Sequence, residues 1–484
     1  MLARVDSRAR IARPRLLDRA PEISTSRPAP QPQKKKSRSV VREVLTLEIC
    51  LFVCGLVLLV VLNAVAPGAR ALLELALAGS LAAFSAASLV IALAALPSTR
   101  LPKRTSAGLP ATTAIVAAYL PNESTVLADS IRAHLRNGPD DLRLIVAYNT
   151  PEPMEFEQEL RRIESLDDRV HVVHVRSSSS KADNVNAALG YATGEIVGVF
   201  DADHQPGPGG FERAAAWMDA GYDVVQGRCV VRRGEQRSRR EGLLSTIVGA
   251  EFETMYAVGH PGRTRLHGFG LFGGSNGYWR ADVLREVLFD STALTEDIDA
   301  SVRLLERGGR IATDPGIVSS ELAPPSWSAL ANQRLRWAQG WFQVSRRHLR
   351  GLSTSRLLTR RQRAGAGWLF GFGVIAPWLA SLTLPFMVFN VVAGSASPWR
   401  GWIGALVTLG TVAFLMHTAV AYRHASVGGR KLAGFAMYVV ASVVFYAQMR
   451  VALVRLGHIH ELLGRTEWRV TPRNPTSGSG VVDA

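Results

Sequence analysis

The stretch EIVGVFDAD, residues 195–203, joins a short apolar run to two carboxylates. Its first six residues, Glu195–Phe200, are rich in β-branched and apolar side chains, which is typical of a buried strand. Ligands of open α/β sheets bind at the carboxyl ends of the strands, so Asp201 and Asp203 stand where a ligand is expected. Two carboxylates one residue apart suit a hard divalent ion that bridges a diphosphate. The spacing alone also fits an ordinary strand-ending turn, and the position after an apolar strand is what favours the ligand site.

Three further β-rich runs precede this stretch, and helix-like segments separate all four. They are Thr113–Tyr119, Leu142–Tyr148 and Val170–Val175. Short strands that alternate with helices are typical of a parallel, doubly wound sheet. We therefore predict an α/β domain of soluble composition from about residue 108 to residue 350.

Long apolar segments lie on both sides of this domain. Residues 44–66 and 71–96 each exceed the ~20 residues needed to cross a bilayer, and a 42-residue leader argues against a cleaved signal peptide. Basic residues flank the pair, which predicts an in–out–in hairpin and a cytoplasmic α/β domain. Three apolar stretches follow the domain, at about 366–394, 401–422 and 432–454. If all three cross the membrane, the basic C-terminal tail would lie outside, although its charge favours the cytoplasmic side. Prolines within the first stretch allow a bent or re-entrant segment instead. The expected number of membrane segments is therefore five or six.

Composition excludes several classes of protein. The 484 residues are 47% apolar and carry a net charge of +16, of which residues 1–42 supply +9 from twelve Lys/Arg and three Asp/Glu. Because the positive charge is concentrated in this tail, no nucleic-acid partner is expected. The tail is predicted to be either a disordered basic arm near anionic lipid headgroups or a signal that orients the next segment in the membrane. Three cysteines cannot form a disulfide framework.

We expect six regions: a basic tail (1–42), two transmembrane helices (43–97), the α/β domain (105–325), an interfacial amphipathic helix region (326–362), a C-terminal transmembrane region (363–456) and a tail (457–484).

A second acidic motif, Thr295-Glu296-Asp297, is predicted to open a helix with an apolar stripe formed by Ile298, Val302 and Leu305. Thr is a good N-cap, and acidic residues in a first turn suit the helix dipole, so capping alone explains the motif. The alternative is a catalytic role for the acids.

A third motif, Gln333-Arg334-Leu335-Arg336-Trp337, lies in the predicted helix 326–349. Its apolar and aromatic residues share one arc of the helix, which is typical of a helix in the membrane interface: Trp327, Leu330, Trp337, Trp341 and Val344. One interpretation is pure anchoring. The other is that Arg336 contacts a phosphate and a Trp indole stacks on a sugar ring.

The order of these motifs resembles the family 2 glycosyltransferases, specifically the membrane-embedded polysaccharide-synthase branch, which makes cellulose, hyaluronan, chitin or poly-N-acetylglucosamine. The matching segments, in order, are Ala118–Glu123, Lys181–Asn186, Asp201–Asp203, Gly273–Gly277, Thr295–Asp297, Gln333–Trp337 and the tail segment Glu467–Arg473. Thr295–Asp299 and Gln333–Gly340 are most similar to the poly-N-acetylglucosamine type, from which Trp341-Phe342 departs.

The resemblance implies a GT-A fold and assigns roles to individual residues. Asp297, with Glu296, is implied as the catalytic pair, and Asp201 and Asp203 as ligands of Mg²⁺ or Mn²⁺. The nucleotide-sugar donor is expected to contact Tyr119, Glu123, Asn149, Lys181, Asp183 and Asp201. The diphosphate and the acceptor are expected to contact Gly274, Ser275, Gln333, Arg336 and Trp337. The family usually has an Asp-rich turn after its second strand, and this turn contacts the base, whereas this chain has Tyr148–Pro151 there. The identity of the nucleotide therefore stays open between UDP, which is favoured, and GDP.

The resemblance further implies that Asp297, ionised at neutral pH with an ordinary pKa near 4, deprotonates an acceptor hydroxyl and inverts the anomeric carbon. The expected product is a growing β-linked polysaccharide at the cytoplasmic face of the plasma membrane, with export by the apolar segments. Nonprocessive transfer to a lipid-linked acceptor shares the donor site and is the main alternative. A transporter is a remote one, because the two N-terminal spans carry only Glu48 and Glu74, near their ends. The sequence does not tell which protein partners the chain has.

Overall fold

The computed structural model describes residues 39–232, 239–393, 399–425 and 431–465. Most of the predicted basic tail (1–38) and the segment Glu467–Arg473 lie outside these ranges. The described chain contains one eight-stranded sheet with helices on both faces, and long apolar helices before and after it.

The sheet has the strand order β3-β2-β1-β4-β7-β6-β8-β5. The strands are β1 (Thr112–Tyr119), β2 (Arg143–Asn149), β3 (Val170–His174), β4 (Ile196–Asp201), β5 (Gln205–Pro206), β6 (Val224–Arg232), β7 (Gly277–Arg280) and β8 (Ile311–Leu322). The pairs β3–β2, β2–β1 and β1–β4, which join the four strands predicted from the sequence, are parallel as predicted, and β6–β8 is parallel as well. Beyond these four strands the sheet is mixed, because the four-residue β7 runs antiparallel to both β4 and β6, and β5 runs antiparallel to β8. A strand this short has too few residues to show an alternating pattern.

Strand side chains alternate between two apolar cores, one on each face. On β1, Ile115 and Ala117 face one core, whereas Ala114 and Val116 face the other. Both faces are covered by helices, which is why the central strands are apolar along their whole length. The helices of this part are α3 (Leu120–Asn137), α4 (Phe156–Leu166), α5 (Lys181–Ala188), α6 (Gly210–Asp219), α7 (Arg239–Glu253), α8 (His260–His267), α9 (Ala281–Val287), α10 (Glu296–Glu306) and α11 (Trp327–Thr354), after α1 and α2 near the N-terminus.

Five described helical segments are long and apolar enough to cross a membrane: Val40–Val65 (α1), Pro67–Ala95 (α2), Arg360–Val392, Ile403–His424 and Lys431–Leu462. The third consists of α12 (Arg360–Ala366), a π-helical turn, α13 (Gly373–Ala380) and α14 (Thr383–Val392). It is interrupted at Ser381 and Leu382, close to the two prolines that predicted a bend. The fourth lies in α15 (Trp399–His424), and the fifth comprises α16 (Lys431–Ala441), a π-helical turn and α17 (Ala447–Leu462).

The helix α11 joins the sheet domain to the C-terminal helices. Leu330 and Val344 are fully buried, and Trp327 packs edge-on against Phe445 at 5.3 Å between ring centroids. Trp341 stacks on Phe370 at 5.5 Å. The apolar arc that predicted an interfacial helix is therefore covered largely by protein.

Candidate active site

Three parallel strands bring predicted donor-site residues to one edge of the sheet. Tyr119 and Asn149 end β1 and β2 and are directly paired, and Asp201 ends β4 opposite Ala117. Because these strands are parallel and in register, their carboxyl ends open on the same crevice.

Lys181 connects this edge to the loop before β7. Its ammonium group pairs with the Asp201 carboxylate and donates a hydrogen bond to the Gly274 carbonyl. The Ser275 hydroxyl accepts the backbone N–H of Asp201 at 3.0 Å. Gly274 has a φ of +92°, and a Cβ there would stand 2.9 Å from Asp297 Oδ2. Glycine is therefore required where the loop passes between Lys181 and Asp297.

Asp297 lies in the first turn of α10 beside the buried Glu296. Burial and the negative charge of Glu296 raise the pKa of Asp297 to about 7, although Lys181 opposes the shift. The expectation of an ordinary pKa near 4 is therefore wrong, because sequence does not show the low-dielectric surroundings. Burial alone would lower the pKa of Lys181, but Asp201, Glu296 and Asp297 outweigh it and raise that pKa.

The capping interpretation of Thr295 is not supported. Its side chain forms no capping hydrogen bond to the described part of α10. Instead it packs against α11, where a Cβ on Gly340 would stand 2.5 Å from Thr295 Cγ2. The Gln343 side chain also accepts the Leu294 N–H at 3.1 Å. The helix that carries the third motif thus supports the start of α10.

Donor atoms of Asp201, Asp203 and His204 lie within 4.8 Å of one another. Asp203 is 1% exposed, and its Oδ2 accepts the Leu322 N–H at 3.1 Å. The two carboxylates are the oxygen ligands that Mg²⁺ and Mn²⁺ prefer, and the imidazole of His204 stands beside them. Sequence reasoning missed His204, although its place directly after the acidic pair could have suggested a third ligand.

Other predicted donor contacts have partners within the protein. Glu123 accepts the Tyr119 N–H at 2.8 Å, at the start of α3. Asp183 accepts the Ser179 N–H at 3.0 Å, beside the start of α5. These two carboxylates hold chain ends at the crevice, and their contact with a nucleoside stays a prediction.

Asn149 and the buried Asn184, which the sequence analysis missed, connect β1, β2 and α5. The Asn184 amide donates to Asn149 Oδ1 at 2.9 Å and to the Ala118 carbonyl at 3.2 Å. The Asn149 amide donates to the Ser178 carbonyl at 3.3 Å. Asn149 therefore stands at the predicted base-binding position with its amide orientation set.

Gln226 is a second residue that the sequence analysis missed. It is fully buried, accepts the Gly273 N–H at 2.7 Å and donates to the Ser275 carbonyl at 3.0 Å. It thereby fixes the loop that carries Gly274. No local pattern marks this glutamine, because its partners are about 50 residues away in sequence.

In the third motif, Arg334 contacts Gln333 and Trp337, two of the residues that are predicted to bind the diphosphate or the acceptor. It donates to Gln333 Oε1 at 3.2 Å, and its guanidinium lies 4.2 Å from the Trp337 ring centroid. It also pairs with Glu251 at 2.7 Å. One face of Trp337 is therefore covered, and a sugar would have to stack on the other. Arg336 is half-buried on the same helix.

A family model described as glycosyltransferase like family 2 matches residues 110–340. This region is a glycosyltransferase family 2 domain. The resemblance seen in the motifs is thus confirmed for this domain.

Curated relatives include polysaccharide synthases. The chain is 28% identical over 179 residues to a cellulose synthase catalytic subunit (UDP-forming) of Xanthomonas axonopodis pv. citri (strain 306), covering 36% of this chain and 24% of that protein. It is 30% identical over 149 residues to the probable glucomannan 4-beta-mannosyltransferase 14 of Arabidopsis thaliana, covering 30% of this chain and 27% of that protein. The similarity therefore spans about a quarter of the length of these relatives. The five candidate spans and these relatives support a multi-pass membrane protein.

A solved structure shares the fold of the glycosyltransferase domain and its surroundings. It is the mannosyltransferase PcManGT from Pyrobaculum calidifontis in complex with GDP-Man and Mn²⁺, with a TM-score of 0.54 and 19% sequence identity. The similarity covers 81% of this chain and 99% of that one. The predicted GT-A-like fold, flanked by apolar helices, is confirmed.

Proposed function

We propose that this glycosyltransferase transfers a sugar, with inversion, from a UDP-linked donor to a growing β-linked polysaccharide at the cytoplasmic face of the membrane. The observation that carries the proposal is the junction of Lys181, Asp201, Gly274 and Asp297, which brings a donor-side cation site within contact of a candidate base. The UDP-forming synthase among the relatives supports the choice of nucleotide.

Asp201, Asp203 and His204 would hold Mg²⁺ or Mn²⁺, which when bound neutralises the charge that develops on the departing nucleoside diphosphate. The protein's own residues prepare the other side of the reaction. Asp297 takes the proton of the acceptor hydroxyl while that oxygen attacks the anomeric carbon. The bond from this carbon to the diphosphate breaks, and the nucleotide leaves with the electron pair. One displacement inverts the carbon and gives a β-linkage from an α-linked donor.

The surroundings of Asp297 serve this step in two ways. A pKa near 7 keeps Asp297 basic enough to accept a proton while it remains substantially ionised at neutral pH. Lys181 supplies a positive charge that prevents the neighbouring carboxylates from raising that pKa further.

We also propose that Gln333 and Arg336 hold phosphate and that the ring face of Trp337 opposite Arg334 supports the acceptor sugar. The contact between Gly340 and Thr295 supports this, since it brings the third motif close to the base. Transfer to a lipid-linked acceptor is the second candidate function, favoured by the arginines described below.

A panel of radiolabelled UDP- and GDP-sugars, offered to membranes that contain the protein, tests the proposal. We expect turnover of a UDP-sugar and a ladder of long products after size separation. Incorporation of a single sugar into a solvent-extractable lipid would contradict the polymer and establish the second candidate. Membranes with the Asp297→Asn variant are the matched control.

A further inference from the structure

A second group of charged side chains lies between the glycosyltransferase domain and the C-terminal helices. At its centre Glu251, 2% exposed at the end of α7, pairs with Arg334 of α11 at 2.7 Å and with Arg450 of α17 at 3.1 Å. Tyr446 donates a further hydrogen bond to it at 2.5 Å. With Arg263 of α8, described next, we call Glu251, Arg334 and Arg450 the arginine cluster.

Arg263 has no carboxylate partner within the described ranges. Its Nη2 atom would stand 3.2 Å from a Cβ on Gly259, and the same position is 3.4 Å from the Thr254 carbonyl oxygen. That carbonyl also lies 3.1 Å from Nε2 of His417 on α15. Arg263 is thus half-buried at the π-helical turn Thr254–Gly259, where α15 meets the domain.

The charges of the cluster do not balance. Glu251 is a single carboxylate for two arginines, and the nearby Glu253 is already bound by Arg228 at 2.6 Å. Arg263 adds a third positive charge, so the cluster carries a surplus of two. Thr254 connects Arg263 to the other members, because its hydroxyl donates to the Glu251 carbonyl at 2.7 Å. Burial and the positive charge of Arg450 also lower the pKa of Arg263. An uncompensated charge at a partly buried site is costly unless an anion binds there.

The position of the cluster indicates where such an anion comes from. Arg450 lies within the last candidate membrane span, yet its side chain is 45% exposed. Ionisable residues inside membrane spans usually line a ligand path. The cluster also adjoins the catalytic site, because the stacked rings of Tyr256 and His260 lie next to Gly273.

We propose that Arg263 and Arg450 bind the phosphate group of a membrane lipid. Guanidinium groups bind phosphate oxygens through paired, charge-assisted hydrogen bonds, and membrane lipids present their phosphates where membrane helices meet the headgroups. The phosphate belongs either to a bilayer phospholipid or to a lipid-linked acceptor. Only the second source rests on the proposed function, in its second candidate form of transfer to a lipid-linked acceptor.

The test compares lipid binding by the full chain and its variants in a neutral detergent. Wild-type protein, Arg263→Gln and Arg263→Lys are titrated with phosphatidylglycerol or undecaprenyl phosphate, and the bound lipid is counted by native mass spectrometry. Phosphatidylcholine, which carries no net charge, is the reference lipid. Arg346→Gln is the matched control, because Arg346 lies on α11, is 52% exposed and stands 3.9 Å from Glu461.

We expect Arg263→Gln to weaken binding of the anionic lipid by about tenfold or more, since charge-assisted hydrogen bonds are lost. Arg263→Lys should recover part of the affinity, and Arg346→Gln should bind as the wild type does. Equal binding by wild type and Arg263→Gln, or no preference over phosphatidylcholine, overturns the proposal. If Arg263→Gln does not elute as a monodisperse protein, the loss between wild type and Arg263→Lys provides the same test.

The two lipids distinguish the source of the phosphate. Preferred binding of undecaprenyl phosphate, with its glycosylation when sugar nucleotides are supplied, assigns the acceptor. Equal binding of phosphatidylglycerol, with neither lipid glycosylated, assigns a bilayer headgroup. A protein that transfers no sugar at all would refute the proposed function while leaving the difference in lipid binding intact.

Discussion

The carboxyl edge of the sheet and the arginine cluster are both dense in charge, but their balances are opposite. At the sheet edge, Asp201, Glu296 and Asp297 surround the ammonium group of Lys181. In the arginine cluster, two guanidinium groups pair with the carboxylate of Glu251. The first site is therefore prepared for a cation and the second for an anion. The loop Gly273–Gly277 lies between them: the Gly274 carbonyl bonds Lys181, and a Cβ on Gly273 would stand 3.2 Å from the Tyr256 hydroxyl.

Removing a candidate metal ligand at the sheet edge should produce the largest effect. We expect Asp203→Ala to abolish transfer and the metal-dependent part of donor binding, because the diphosphate keeps an uncompensated charge. The measurement is transfer and donor binding in chelator-treated membranes refilled with Mn²⁺.

An exposed acid provides the control for this variant. Asp282→Ala removes the same charge from a side chain that is 44% exposed on α9, and it should leave transfer unchanged. Wild-type turnover by Asp203→Ala would mean that the metal is held elsewhere.

The pH dependence of the initial rate reports the burial of Asp297. With a pKa of about 7, the base is protonated and inactive at lower pH, so the rate should rise with pH and level off above 7. Below the pKa the rise should approach about tenfold per pH unit, as for any single ionisation. A rate that stays constant between about pH 5 and about pH 8 is not compatible with this base.

Lys181 is the positive charge within the acidic site at the sheet edge, so replacing it tests how this charge acts on Asp297. Lys181→Met removes the group that lowers the pKa of Asp297, so the rising limb should move to higher pH by about one unit. Arg285→Met, a substitution on α9 away from the crevice, should not move the limb. A limb that stays in place would show that Lys181 does not act on the base.

The smallest effect is expected at the boundary between the two sites. Trp337→Ala should weaken acceptor use by about two- to tenfold and shorten the products, since it removes a stacking surface. The fold should survive, because Trp327 and Trp341 keep their own packing. Product sizing at constant donor concentration provides the measurement, and an unchanged length would favour a purely structural role for Trp337.

Sequence predicts the features that local patterns encode, but it does not predict those that depend on contacts between distant segments. The strand ending in Asp201, the helix that begins at Glu296 and the apolar helices all follow from local patterns, and the order of motifs identified the family. By contrast, β7 is too short to show a pattern, and Gln226 and Glu251 act on partners about 50 and 83 residues away. The raised pKa of Asp297 likewise depends on burial by distant segments. Contacts of this kind become visible only once the chain is folded.

The central claim is that Asp297 removes a proton from the acceptor, and one paired measurement tests it. Donor affinity and initial rate are determined on the same membranes for wild type and Asp297→Asn, which keeps the shape of the side chain but removes the base. We predict unchanged donor affinity and a rate lower by at least about 100-fold, the usual contribution of a positioned base. A variant that keeps more than about a tenth of the wild-type rate would contradict the assignment.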